Sequence, residues 1–115
     1  MLRSEIRIVD LGTPLPGEAA HRRPAIVVSN DGANSTAARL GKGSITVVPL
    51  TSRVSTVFPF QVLITAAESG LEVDSKAQAE QVRSISVQRV AKRLGSVPAA
   101  RMLEVDEALR LHLAL

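Results

Sequence analysis

Three short apolar runs constrain this chain most: Ala25-Ile26-Val27-Val28, Ile45-Thr46-Val47-Val48-Pro49-Leu50 and Phe60-Gln61-Val62-Leu63-Ile64. Each is too short for an amphipathic helix and rich in β-branched residues. Turn formers bound them: Pro24 and Ser29-Asn30-Asp31-Gly32 around the first, Pro49 near the end of the second, Pro59 before the third. Runs of this length and chemistry read as buried strands. Ile6 and Ile8, alternating with Glu5, Arg7 and Val9, add another strand, which Gly12 and the following prolines break. Residues 12–23, 33–43 and 51–59 read as connections, and Ser69-Gly70 as a turn. Residues 77–82 make the weakest strand, because alanine and glutamine form strands poorly.

The last third reads as helical. Ser86 caps a helix carrying Val87, Val90, Ala91 and Leu94 on one face, with Gly95 as its stop. Ser96 caps the next, with Pro98 in its first turn and Met102, Val105, Leu109 and Leu113 as the apolar stripe. Strands first and helices last predict an α+β domain, with C-terminal helices packed on a strongly curved antiparallel sheet. The 115 residues suffice for one domain, and 45% apolar content supplies a core without cross-links.

Composition removes several function classes. There is no cysteine, which excludes disulfides, thiolate zinc sites, iron–sulfur clusters and a cysteine nucleophile, and fits a reducing compartment. No apolar run approaches the ~18 residues of a membrane helix. The opening Met-Leu-Arg-Ser-Glu-Ile-Arg lacks the apolar stretch of a signal peptide, so a cytoplasmic location with no membrane contact is expected. Phe58 and Phe60 are the only aromatic residues, too few for a base-stacking sheet. Net charge is +3, and its distribution matters more than its size. Arg22, Arg23, Arg39, Lys42 and Arg53 face only Asp31 between positions 22 and 53. A basic surface of this kind suits a polyanion.

Metal and nucleotide motifs are weak. His21 and His112 stand far apart, and Asp10, Glu18 and Asp74 read as solvated acids, so no metal or cofactor is expected. Gly41-Lys42-Gly43-Ser44 leads into a strand rather than a helix and is no P-loop. The informative stretch is Gly17-Glu18-Ala19-Ala20-His21-Arg22-Arg23-Pro24, running into a buried strand. An arginine at a strand's mouth presents a planar fork to phosphate, and Thr51 or Ser52, ending another strand, adds a hydroxyl. Such a pair suits RNA cleavage, because RNA supplies its own 2′-OH nucleophile. The competing reading makes Arg23 and Thr51 ordinary surface residues at strand ends.

Six motifs in order resolve that choice. Arg3-Ser4-Glu5-Ile6-Arg7-Ile8-Val9-Asp10-Leu11 resembles the R-G-[DE]-I-hydrophobic-x-V-D-L strand of the MazF/PemK toxin endoribonucleases. Gly17-Glu18 followed by Arg23-Pro24-Ala25-Ile26-Val27-Val28-Ser29-Asn30-Asp31 resembles that family's G-x-E…R-P…N-D block. Val47-Val48-Pro49-Leu50-Thr51-Ser52, Pro59-Phe60-Gln61-Val62-Leu63, Ala79-Glu80-Gln81-Val82-Arg83-Ser84-Ile85 and Glu104-Val105-Asp106-Glu107-Ala108-Leu109 follow, so the resemblance runs from about Arg3 to Leu113.

The resemblance implies an SH3-like small barrel of the CcdB/PemK type, a homodimer, and a cognate antitoxin with an acidic tail. It implies metal-independent cleavage of single-stranded RNA, leaving a 2′,3′-cyclic phosphate and a 5′-hydroxyl. It places catalysis on Arg23 and Thr51, and RNA binding on Glu18, Glu80 and Gln81. His21, Arg22, Ser52, Arg53, Ser75 and Lys76 complete the candidate RNA-binding set. His21 has the titration range of a general base, but the family's histidine directly precedes the arginine, and here Arg22 stands there. Ser4 also departs from the family, which carries glycine at that place. Two rival readings share the fold: a non-enzymatic, CcdB-like inhibitor of DNA gyrase, and a decayed toxin that only binds antitoxin. Both leave the joint presence of Arg23 and Thr51 without a purpose.

Overall fold

A computed structural model describes residues 1–19 and 21–115. Strand β1 (Glu5–Asp10) pairs antiparallel with β2 (Arg22–Val27), which pairs antiparallel with β3 (Ser44–Thr51). β3 is the hub of the sheet. One of its edges faces β2. The other is shared between β6 (Arg83–Ser86), against residues 44–47, and β5 (Ser75–Gln78), against Leu50 and Thr51. β4 (Gln61–Ile64) continues beyond β5, and β7 (Val90–Ser96) borders β1. The sheet is antiparallel and seven-stranded but not closed. β4 and β7 end the strand order, and no ladder joins them among the described residues. The expected barrel is thus open, and one C-terminal helix packs on it rather than several.

Alternation along the strands separates two apolar clusters. On one side Ile6, Ile26, Val48, Leu50 and Ile64 pack with Met102, Val105 and Ala108 of helix α3 (Ala99–Leu113). On the other, Val9, Ala25, Val27, Ile45 and Val47 pack with Ala37 of helix α1 (Asp31–Leu40). Burying ten or so aliphatic side chains on each side at about 1.5–3 kcal/mol apiece holds the sheet between its two covers. No helix among the described residues is long and apolar enough to cross a membrane.

Local expectations failed in several places. Residues 33–43, read as a connection, contain most of α1. The Asn30 side chain accepts from the Ala33 N–H, and Gly41 closes the helix with φ 65°. The apolar period was absent because α1 buries only Asn34 and Ala37. Residues 86–94, read as a helix, form a 3₁₀ turn (Val87–Arg89) and then β7, because the outer edge of β1 needs a partner for its amides. Ser96 ends that strand instead of capping α3, in which the Arg101 and Met102 N–H groups turn back to the Pro98 carbonyl. The α3 stripe holds at Met102 and Val105, but Leu113 is exposed. Finally, Ser69 ends a short helix α2 (Ala66–Ser69), which Thr65 and Glu68 close by a reciprocal cap.

Candidate active site

Register places the two central side chains. β2 and β3 pair as Val27↔Val47 and Ala25↔Pro49. Continuing two residues along each strand sets Arg23 opposite Thr51. β3 and β5 then pair Thr51 with Lys76. Arg23, Thr51 and Lys76 therefore form one row across three strands. They lie on the face that carries Val27 and Val47 one end further in, where the apolar cover runs out. Directly paired residues of an antiparallel sheet share a face, which is why one polar row follows two apolar ones.

Arg23 and Thr51 line two adjoining clefts. One, of about 300 Å³, is walled by Pro24, Leu50, Ser52, Val73 and Ser75. The other, of about 280 Å³, is walled by Gly17, Glu18, Ala19, Arg53, Gln78 and Gln81. Arg23 and Thr51 are both half-buried. The Thr51 hydroxyl oxygen accepts the Arg53 N–H at 3.3 Å, which turns the chain so that Arg53 faces the cleft with Arg23. Two guanidinium residues against one carboxylate leave the second cleft cationic. That charge and a half-buried hydroxyl suit a phosphodiester.

Gln81 shapes the wall. Its carboxamide accepts the Ala19 N–H at 3.0 Å and donates to the Gly17 carbonyl at 2.9 Å. Glu18 accepts the Leu15 N–H at 2.6 Å within the same loop. Both residues hold residues 15–19 beside Arg23, so the cleft has a preformed wall.

Other candidates lie outside the clefts. His21 is exposed with φ 56° and closes the β1–β2 hairpin through backbone bonds to Gly12 and Leu11. Arg22 is exposed and pairs in register with Asp10. Lys76 is only 8% exposed. Its Nζ donates to the Thr56 carbonyl at 2.6 Å and sits 5.6 Å from the Phe58 ring centre. It pins the 52–60 segment rather than projecting into a cleft. Glu80 accepts from Gln61 Nε2 at 2.7 Å and belongs to the floor between β4 and β5. Sequence reasoning missed Gln78. Its place in the cleft follows from the β3–β5 register, and residues 75–78 carried too little strand character to supply one.

Two acids outside the clefts are shifted. Burial pushes the Glu5 carboxyl up, but hydrogen bonds from Arg7 and the Leu2 N–H, with the charges of Arg7 and the N-terminus, hold it below the usual carboxylate range. The Thr65 N–H and hydroxyl, followed by Arg101, outweigh burial at Glu68 and lower it likewise. Both tie the scaffold together rather than serve the site.

Comparison with known proteins agrees with this geometry. A family model described as PemK-like, MazF-like toxin of type II toxin–antitoxin system matches residues 2–113. The Mycobacterium tuberculosis protein named endoribonuclease MazF9 is 56% identical over 115 residues, covering 100% of this chain and 98% of its own length. The crystal structure of MazF (Form-I) from Deinococcus radiodurans superposes with a TM-score of 0.81 at 25% identity, covering 100% of this chain and 97% of that one. An endoribonuclease solved in complex with its cognate antitoxin, from a mycobacterial species, has the same fold, with a TM-score of 0.77 at 23% identity over 100% of this chain and 96% of that one. The chain belongs to the PemK-like, MazF-like toxins of type II toxin–antitoxin systems.

Proposed function

We propose that this toxin is a metal-independent endoribonuclease that cuts single-stranded RNA in the cleft between Arg23 and Thr51. The observation that carries the reading is that those two residues, near the ends of β2 and β3, line one cleft with Arg53. The endoribonuclease name of the 56% identical relative supports it.

In the reaction the ribose 2′-oxygen attacks the adjacent phosphorus and loses its proton, while the bond to the 5′-oxygen breaks and that oxygen gains a proton. The products are a 2′,3′-cyclic phosphate and a 5′-hydroxyl. Negative charge builds on the equatorial oxygens of the phosphorane. Arg23 stabilises it through two N–H groups, and Thr51 donates its hydroxyl to a further oxygen. Arg53 and the cleft's cationic balance draw the backbone in. Ser52 and Ser75, on the far side of Arg23 and Thr51, offer hydroxyls to the next phosphate. The toxin works in the cytoplasm as a homodimer. Its antitoxin shields the same cationic cleft with an acidic segment, a pairing supported by the family description.

The test is cleavage of a long, weakly structured RNA in excess EDTA. The wild type cuts at one short recurring sequence, and Arg23→Ala lowers the rate about 10²–10³-fold, the loss typical of one oxyanion donor. Equal rates for both proteins would refute the assignment.

A further inference from the structure

Gln78 stands in the wall of the cleft beside Arg23, Thr51 and Arg53. Its side-chain oxygen is buried and, among the described residues, has no hydrogen-bond partner. Buried acceptors without a donor are rare in folded proteins, and each calls for an explanation. Its neighbours in the sheet offer it no donor. Gln61, paired with Gln78 across β4 and β5, uses both ends of its own carboxamide, accepting the Phe58 N–H at 3.2 Å and donating to Glu80 at 2.7 Å. Glu80 keeps its second oxygen unpartnered as well.

The last torsion of a glutamine is soft and roughly two-fold. A half-turn of the Gln78 carboxamide exchanges its ends. The NH₂ group enters the buried position, and the carbonyl faces the cleft. A ligand that offers a donor there relieves an unpaired acceptor and gains a bond in one step. Continuing the β3–β5 register sets Gln78 one row in from Thr51, opposite Pro49. That row is occupied by Ala25 and Pro49, which donate nothing from their side chains. In that row Gln78 is thus a polar group of the cleft wall available to a flat edge lying next to the phosphate held at Arg23 and Thr51.

We infer that Gln78 is a specificity-determining residue: its carboxamide hydrogen-bonds the Watson–Crick edge of a nucleobase flanking the scissile phosphate, accepting from a ring or exocyclic N–H. The inference rests on the RNA-cleavage reading above. Single-stranded RNA presents unstacked bases whose Watson–Crick edges carry N–H donors, and a carboxamide oxygen turned to the cleft accepts from such a donor. With Phe58 and Phe60 stacked on each other at 5.5 Å, selection in this cleft falls to polar groups of this kind.

The experiment maps every cleavage site in a randomised RNA library for wild type, Gln78→Leu and Gln78→Met, with Arg23→Ala as the inactive control. Methionine keeps the length of glutamine, so it serves if leucine disturbs folding. The expected result is that one position of the recognition sequence loses about tenfold of its preference in both variants, while the other positions keep theirs and cutting continues. Unchanged preference at every position in either folded variant overturns the inference and leaves the nuclease reading standing. A wild type that cuts nothing overturns both.

Discussion

Replacing Gly95 by alanine places a methyl carbon 2.0 Å from the Ser69 carbonyl oxygen and 3.1 Å from its carbonyl carbon. That lies roughly 1.5 Å inside the ~3.5 Å at which non-bonded contact becomes favourable. Neither side yields easily. The Ser69–Gly70 corner is held by the Thr65–Glu68 cap, by Ser69 Oγ donating to the Thr65 carbonyl at 2.7 Å, and by the Gly70 N–H to Ala66 at 3.1 Å. Arg101 ties Glu68 to α3 at 3.1 Å. Gly95 itself is locked into β7 opposite Ile6. Overpacking a rigid contact costs about 1–3 kcal/mol, and pulling β7 from β1 forfeits a further ~1 kcal/mol of ladder bonding. We expect Gly95→Ala to lose about 2–4 kcal/mol, with Tm falling by roughly 10–20 °C for a domain this size. The comparison is Gly41→Ala, where φ is 65° but nothing stands within 4 Å of the added carbon. Only the left-handed backbone penalty of about 1 kcal/mol applies there. Urea unfolding followed by far-UV circular dichroism suits a chain without tryptophan or tyrosine. All variants are measured at one protein concentration, because self-association shifts Tm. A Gly95→Ala protein as stable as Gly41→Ala would refute the close-approach argument.

Other perturbations test separate links. Ser4 has φ 85°, its N–H bonds Val27 and its carbonyl takes the Val97 N–H, so the backbone cannot relax without losing both. Ser4→Gly removes the strain and raises stability by about 1 kcal/mol in the same urea titration; a loss would show that the serine side chain matters more than its backbone. Lys76→Met removes the ammonium that holds the Thr56 carbonyl, and amide hydrogen exchange in residues 52–60 should quicken about tenfold while β1 and β2 are unaffected. Because Glu5 and Glu68 have lowered carboxyl pKa values in the folded state, the stability they contribute is present above the unfolded value of about 4.3 and is lost as pH falls through the folded one. Glu5→Gln should therefore flatten the fall of stability with acid below about pH 5, and an unchanged slope would count against the Arg7 and Leu2 contacts.

Strand positions were legible wherever burial left a pattern. The runs 25–28, 45–50 and 60–64 recur in β2, β3 and β4, because a half-buried strand needs apolar side chains on a short, regular spacing. The same reasoning failed at α1, whose buried face is one alanine and one asparagine. Asn34 is fully buried with its amide on the Ser29 carbonyl at 2.8 Å, a polar anchor that no apolar period announces. The positions of Arg23 and Thr51 near strand ends were legible because both strands already stood out. Gln78 was not, because its strand did not.

Gly95 draws the line between the two kinds of information. Residues 86–94 have helical spacing, and a glycine after them reads as a helix stop. Only the assembled sheet supplied β1's open edge, and only the corner at Ser69 made a side chain costly there. Local sequence determined which segments bury themselves and which residues carry charge and hydroxyls, since those follow from side-chain chemistry and spacing alone. Tertiary structure decided the register that aligns Arg23, Thr51 and Lys76, and with it which polar groups share a cleft. Register is a relation between strands distant in the chain, fixed by the packing of two opposite faces at once, and no single segment contains it.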